Sequence, residues 1–354
     1  MGSHLEIRKP DQKPGDGKRV WFSAFGIAVG RFADLRWIPG SDGRPVEPEA
    51  LFEMFYGDLC EHLEATHHVV RFAYDWRKPI QSEAARLGLE VEQALKALGG
   101  RQPVRLLAHS MGGLVCRTLI RQRPELWEQI VGHPGGRFIM LGTPNNGSHL
   151  LVQHLIGKAG TTRNLARIDQ RNGLQRILDV AATLPGALQL LPRPGFVDTA
   201  GEQEENYFRQ APWAKFKTQV RDRWFGDHVA ALPGKPILEE ASRFWSEALP
   251  DNEIPGPVDR VGYVFGVDSE TACGVRIGGG SDGLQVLVTA EGDGSVTWKS
   301  SRLANLPDSR HWWIPAGHGD LARTREAFAG IVELLQTEIG RASCRKECRS
   351  RWSP

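Results

Sequence analysis

The stretch PVRLLAHSMGGLVCRTLI, residues 103–120, constrains this 354-residue chain more than any other. Its apolar start reads as a short strand, and the run from Met111 onward has helical spacing. Between them Ala108-His109-Ser110-Met111-Gly112 must turn the chain from strand to helix within a few residues. Small residues two before and two after Ser110 let so tight a turn pack, and the turn lifts the Ser110 hydroxyl above the strand end. The next helix then aims its free N–H groups and positive dipole end at the same spot. A strand feeding straight into a helix calls for a sheet with helices on its faces.

The rest of the chain has the same alternation. Apolar, β-rich runs at 19–25, 68–73, 104–108, 137–141, 261–267, 284–289 and 312–315 alternate with helical patterns at 48–64, 81–98, 111–121 and 321–337. The expected fold class is therefore α/β, a mostly parallel sheet flanked by helices. Residues 148–257 hold Leu- and Trp-bearing helical pieces and no clear strand, so they are expected to form a helical cap or lid inserted into a domain spanning 19–338. Residues 1–18 are expected to be an N-terminal extension. No repeat at a solenoid period is present.

Composition narrows the function. With 40% hydrophobic and 24% charged residues the chain can bury a large core, which excludes disordered and collagen-like classes. No apolar run nears the roughly 18 to 20 residues that span a bilayer. The charged start, lacking a signal-peptide stretch, points to the cytoplasm. Residues 339–354, IGRASCRKECRSRWSP, follow an amphipathic helix abruptly and read as a translated sequencing-library adapter, so they are expected to be non-native. The alternative is a basic tail for nucleic acid or lipid headgroups. Without that segment the chain carries 39 Lys and Arg against 41 Asp and Glu, and a nucleic-acid partner is not expected. Cys60, Cys116 and Cys273 stand singly, with no CxxC, and His and carboxylates do not cluster at ligand spacings. No metal and no cofactor is expected.

A serine hydroxyl is inert at neutral pH without a base, and the base needs an orienting acid. The strand–elbow–helix context is that of α/β-hydrolases, in which acid and then histidine follow the serine in chain order. Searched in that order, Asp293 lies between two glycines after the 284–289 run, and His318 follows the 312–315 run in a loop before the last helix. His311 is the rival base, Asp282 reads as a hairpin turn residue and Asp320 as an N-cap. His109 reads as an elbow or packing residue, His67 and His68 as structural. His149 and His154, at the cap entrance, are candidates for a pocket wall.

Together AHSMGGLV, YDWR (74–77), LGTPNNGS (141–148), LPGALQLLP (184–192) and GDGSV (292–296) with a late histidine resemble the lecithin:cholesterol acyltransferase-like, lipase and esterase branch of the α/β-hydrolases, over about residues 19–338. The resemblance implies Ser110 as nucleophile, Asp293 as acid, His318 as base and a helical cap over an acyl pocket. The hairpin-like stretch 271–287 also looks like that branch. Where the family's first strand ends in Pro-Gly, this chain has Ala24-Phe25-Gly26-Ile27. Matching Gly26 puts one oxyanion donor on the Ile27 amide, with Ala28 next in line, beside the Met111 amide. Phe25, Gly26, Thr143, Asn145 and Leu188 are the candidates to touch substrate. Asp75 and Arg77 of YDWR can form a buried ion pair or meet substrate, and the cap's leucines can hold an acyl chain or pack the cap.

These readings predict a serine-dependent acyl hydrolase or acyltransferase acting on carboxylic esters, lipid esters above all, through an acyl-enzyme. Thioesters or amides would use the same machinery. The rival is a catalytically inactive hydrolase-fold module binding a lipid or protein. Peripheral contact with a lipid surface fits a cap with an apolar rim.

Overall fold

The computed structural model describes residues 2–38, 45–169, 171, 173–201, 206–219, 232–278 and 283–336. The 339–354 segment, Asp282 and the end of the expected closing helix lie outside them.

Four parallel strands form the central sheet, in the order β4 (Arg105–His109), β5 (Arg137–Leu141), β6 (Val261–Phe265) and β9 (His311–Trp313). The sequence RFIML of β5 has no polar face because both of its faces are covered, the expected pattern for a parallel strand. Its alternate residues enter different cores. Phe138 and Met140 pack with α3 (Ile80–Leu98), α4 (Met111–Gln122) and α5 (Pro124–Gly132), while Ile139 and Leu141 pack with α2 (Glu53–Glu64) and α13 (Phe328–Gln336). The sheet is thus sandwiched between two helical layers, the arrangement of the α/β-hydrolase fold.

Between β5 and β6, the described residues form only helices: α6 (His149–Leu155), α7 (Gly160–Ile168), α8 (Gly173–Ala181), α9 (Pro185–Leu188), α10 (Gln210–Gln219) and α11 (Lys235–Arg243). Their apolar faces merge with the body. Leu178, Val180, Leu188, Leu191, Trp213 and Phe244 are fully buried in the same core as β5 and α4. No helix among the described residues is long and apolar enough to cross a membrane.

The N-terminal region departs from the sequence reading. β1 (Ser3–Ile7), from the expected extension, is the middle strand of a separate antiparallel sheet with β2 (Lys18–Trp21) and β3 (Val46–Leu51). Its Leu5 is buried, and the buried Glu6 carboxylate accepts the amides of Gly15 and Gly17. The run at 19–25 therefore joins no parallel sheet, and its last two residues open helix α1 (Ala24–Ala28). Residues 48–51, the start of the expected 48–64 helix, belong instead to the edge strand β3, a position that tolerates the missing amide of Pro48. Residues 68–73 form no ladder. They run beside β4 across an apolar cavity of about 280 Å³ whose wall includes Leu63, Val69, Phe72, Leu106, Val115 and Ser110. The 284–289 run does become a strand, β8 (Leu284–Thr289), but it pairs antiparallel with β7 (Thr271–Ile277) in a two-stranded hairpin apart from the main sheet.

YDWR ties the small sheet to the body. The buried Arg77 guanidinium grips Asp75 through Nε (2.9 Å) and Nη2 (2.7 Å) and donates to the Val46 carbonyl, while Trp76 Nε1 donates to the Ser3 carbonyl. Of the two readings, the structure supports the buried ion pair.

His154 gives the fold a pH dependence. It is partly buried, with Nδ1 2.6 Å from Thr162 Oγ1, and burial pushes its pKa down from 6.5 to about 4. Between those values the unfolded chain takes up a proton that the folded chain refuses, so stability falls as pH drops through this window. Thermal scans should show the melting temperature declining from neutral pH toward pH 4, and the decline should be shallower in His154→Gln. An equal slope in both proteins would remove His154 as a cause.

Candidate active site

Ser110 has φ 56° and ψ −130°, and it is the one non-glycine residue with positive φ among the described residues. The sheet imposes this geometry. The Ser110 amide still donates to the Leu141 carbonyl (2.9 Å), continuing the β4–β5 ladder, while its own carbonyl already accepts Gly113 N–H (3.0 Å) in α4. One residue therefore belongs to strand and helix at once, at a backbone cost on the order of 1 to 3 kcal/mol. Gly113 makes the turn possible, since a Cβ there would lie 1.9 Å from Thr143 Oγ1. A Cβ on Gly112 would meet that of Ala108 at an ordinary 3.8 Å.

The structure brings Asp293 and His318 to this serine from two separate loops. His318 Nε2 is 2.8 Å from Ser110 Oγ, and His318 Nδ1 is 2.8 Å from Asp293 Oδ2. A carboxylate only accepts, so Nδ1 carries the ring proton and the Nε2 lone pair faces the serine hydroxyl. The other oxygen of Asp293 accepts the amides of Ser295 (3.0 Å) and Val296 (2.7 Å), an Asx turn closed by the Gly292–Thr297 bridge. Asp293 is buried, and its carbonyl also accepts the His318 amide at 2.7 Å.

Two glycines that the sequence reading passed over make room for this pair. A Cβ on Gly142 would stand 2.9 Å from Asp293 Oδ2 and 3.0 Å from His318 Nδ1, and one on Gly266 would stand 2.7 Å from Asp293 Cβ. Gly142 follows directly on the last residue of β5, a position where glycine is a readable signal of close approach.

Several candidates take other places. Ile27 is not an oxyanion donor in this conformation, because its amide donates to the Ser23 carbonyl (2.9 Å) as part of α1. The amide of Gly26 is likewise held by Ser23 Oγ (3.0 Å). The side chain of Phe25 lies outside the described residues. Met111 is the first residue of α4, where an amide has no intrahelical acceptor. Thr143, Asn145 and Leu188 are wholly enclosed and serve packing rather than a substrate surface. Asn145 accepts from Arg117 Nη1 (3.1 Å) and donates to the Ser301 carbonyl (2.6 Å), while Asn146 donates to those of Ser300 and Arg302. Arg117 in α4 meets only carbonyl and amide oxygens in these bonds, and burial lowers its pKa to about 9. The TPNNGS loop thus fastens the elbow helix to α12 (Trp298–Ser301), which follows the Asp293 turn.

The competing histidines are also placed. His311 is buried against the rings of Tyr263 and Phe265, and burial first, then Arg302, lowers its pKa to about 4. His149 pairs with Asp198 in the helical stretch between β5 and β6 (3.0 Å). His109 bonds to Tyr56 and to the His318 carbonyl.

A profile of the lecithin:cholesterol acyltransferase family matches residues 57–231, which include the elbow and part of the stretch between β5 and β6. The chain is also 22% identical, over 339 aligned residues, to phospholipase A(1) LCAT3 of Arabidopsis thaliana, covering 85% of this chain and 72% of that one. The chain is similar to the lecithin:cholesterol acyltransferase-like branch of the α/β-hydrolases. This acyltransferase-like protein is a lipase-like enzyme, a hydrolase or acyltransferase of acyl esters. Among solved structures, the Tle4–Tli4 complex is similar at 16% identity and a TM-score of 0.47, over 75% of this chain and 68% of that one. The mature form of Bacillus licheniformis lipase BlEst2 is similar at 16% identity and a TM-score of 0.37, over 73% and 76%.

Two substitutions in this acyltransferase-like enzyme test the supports of the site. Gly142→Ala adds left-handed strain and a clash with the Asp293–His318 pair, so kcat should fall by about tenfold or more. Gly99→Ala, at φ 55° with no atom within 4 Å of its Cβ, carries the strain alone and should leave kcat unchanged. Equal rates for the two variants would show that the clash is immaterial. Asn145→Ala strands the Arg117 and Ser301 partners and should lower unfolding stability by about 1 to 3 kcal/mol in denaturant titrations.

Proposed function

We propose that this enzyme is a serine acyl hydrolase or acyltransferase acting on carboxylic esters, and on lipid esters in particular. The observation that carries the proposal is the chain of two 2.8 Å contacts from Asp293 through His318 to Ser110, ending on a serine held in a strained elbow. In this reading His318 Nε2 takes the Ser110 proton as Oγ attacks the ester carbonyl, and the Met111 amide at the helix N-terminus holds the oxyanion. Asp293 keeps the imidazole in the required tautomer and stabilises the imidazolium. His318 then returns the proton to the departing alcohol. Water or a second alcohol, deprotonated by His318, attacks the acyl-enzyme and releases Ser110, giving hydrolysis or acyl transfer.

Lipid esters are favoured by the family and by the Arabidopsis relative, which is a phospholipase A(1). The leucines of the cap do not add to this argument, since Leu178, Leu184, Leu188 and Leu191 lie in the common core. We assign residues 148–257 as the cap over the site.

The test is turnover of short and long p-nitrophenyl esters, with fluorophosphonate labelling, for the wild-type protein and Ser110→Ala. Labelling should vanish in the variant and kcat should drop by about 10³-fold or more. A folded wild-type protein that neither labels nor turns over esters would overturn the assignment in favour of a binding module.

A further inference from the structure

His109 precedes Ser110 in the chain, yet its ring bonds elsewhere. Its Nε2 lies 2.9 Å from the carbonyl oxygen of His318, and its Nδ1 lies 2.9 Å from Tyr56 Oη. The His109 and His318 rings also lie against each other, with centroids 4.8 Å apart and planes inclined by 40°. A carbonyl only accepts, so Nε2 carries a proton, and in the neutral ring the lone pair on Nδ1 accepts from the Tyr56 hydroxyl. The direction of the chain is therefore fixed, from Tyr56 to His109 to the His318 carbonyl. Burial, and after it the neighbouring His318, holds the pKa of His109 well below the usual histidine range, while burial raises that of Tyr56. Both groups stay neutral at neutral pH, as this chain requires.

His318 is consequently held on every side. Its amide donates to the Asp293 carbonyl, its carbonyl accepts from His109, its Nδ1 donates to Asp293 and its Nε2 faces Ser110. The Asp293 contacts fix one end of the His318 peptide, and the His109 contact fixes the other. Tyr56 anchors this second hold in α2, where Phe55 also packs beside Gly319.

We propose that His109 and Tyr56 are positioning residues for acyl transfer, clamping the loop of His318 so that its Nε2 stays in line with Ser110 Oγ. This rests on the reading of His318 as the base. A misplacement of about 1 Å at a reacting group can lower a rate on the order of 100-fold, so a clamp on the backbone of the base governs kcat.

The test measures kcat and KM for p-nitrophenyl butyrate with the full chain, together with thermal unfolding. His109→Leu removes the donor and should lower kcat by about 10- to 100-fold, with KM within about threefold of wild type. His109→Gln, whose side-chain amide can replace the Nε2 donor, should restore most of that loss. Tyr56→Phe frees Nδ1 of its partner and should lower kcat by about 3- to 10-fold, again with little change in KM. Equal losses in the Leu and Gln variants would show that ring packing matters rather than the N–H, and would overturn the proposal. Wild-type kcat in Tyr56→Phe would overturn it even if His109→Leu fails to fold. Ser110→Ala separates the two readings. If it is inactive while the His109 and Tyr56 variants are fully active, only the clamp fails; if it keeps the wild-type rate, the serine reading fails and the clamp with it.

Discussion

The backbone of Ser110 is the constraint on which the rest of the site depends. Left-handed φ on a residue with a Cβ persists only where the surroundings over-determine it. Here the β4–β5 ladder holds the Ser110 amide on Leu141, α4 captures its carbonyl, and Gly113 lets the turn close against Thr143. None of these restraints is sufficient alone, and none comes from the five-residue motif by itself. The motif permits the turn, and the sheet and the first turn of α4 enforce it.

A strained serine at the sheet edge is useful only if its partners arrive with comparable accuracy. Asp293 and His318 lie on loops that follow a hairpin and the last strand, and loops are less rigid than the sheet. The structure compensates with a dense set of buried hydrogen bonds. The Asp293 carboxylate has three donors, and the 292–297 turn runs on into the Thr297-capped α12. From the other side, Asn145, Asn146 and Gly147 of the loop after β5 reach carbonyl or hydroxyl groups of Ser300, Ser301 and Arg302. Arg117 joins the same loop to α4, so the elbow helix and the acid turn share one polar lattice. Such networks are stabilising when every member is satisfied and costly when one is removed.

How much of this was legible in the sequence follows the range of the interactions. The elbow is local, so the order of strand, small residues and helix could be read within residues 103–120. Asp293 and His318 could be chosen from the serine, acid, histidine chain order, although the strand before Asp293 lies in the hairpin and not in the parallel sheet. The strand at 68–73 and the membership of 19–25 could not be settled the same way. Both have strand propensity, but a strand exists only when a partner supplies its ladder, and β2 found its partner in residues 3–7, a segment without a clear pattern. The leucines of the cap were ambiguous for a different reason, since an apolar helical face looks the same whether it covers a core or an acyl chain. The oxyanion donor failed on a single hydrogen bond, because Ser23 starts a helix whose fourth amide is that of Ile27.

A second imidazole beside the proposed base poses an electrostatic problem. During the proposed reaction His318 becomes an imidazolium, and a charged His109 ring 4.8 Å away would oppose that step. Tyr56 and the His318 carbonyl occupy both ring nitrogens and are satisfied by the neutral form, with Nε2 donating and Nδ1 accepting. Burial acts in the same direction by penalising the charged form. A leucine at this position would be as neutral but could not hold the His318 carbonyl, and a lysine could hold it only by bringing a charge. Histidine combines a directed donor with enforced neutrality, which gives a residue that reads in sequence as mere elbow packing a reason to stand next to the proposed nucleophile.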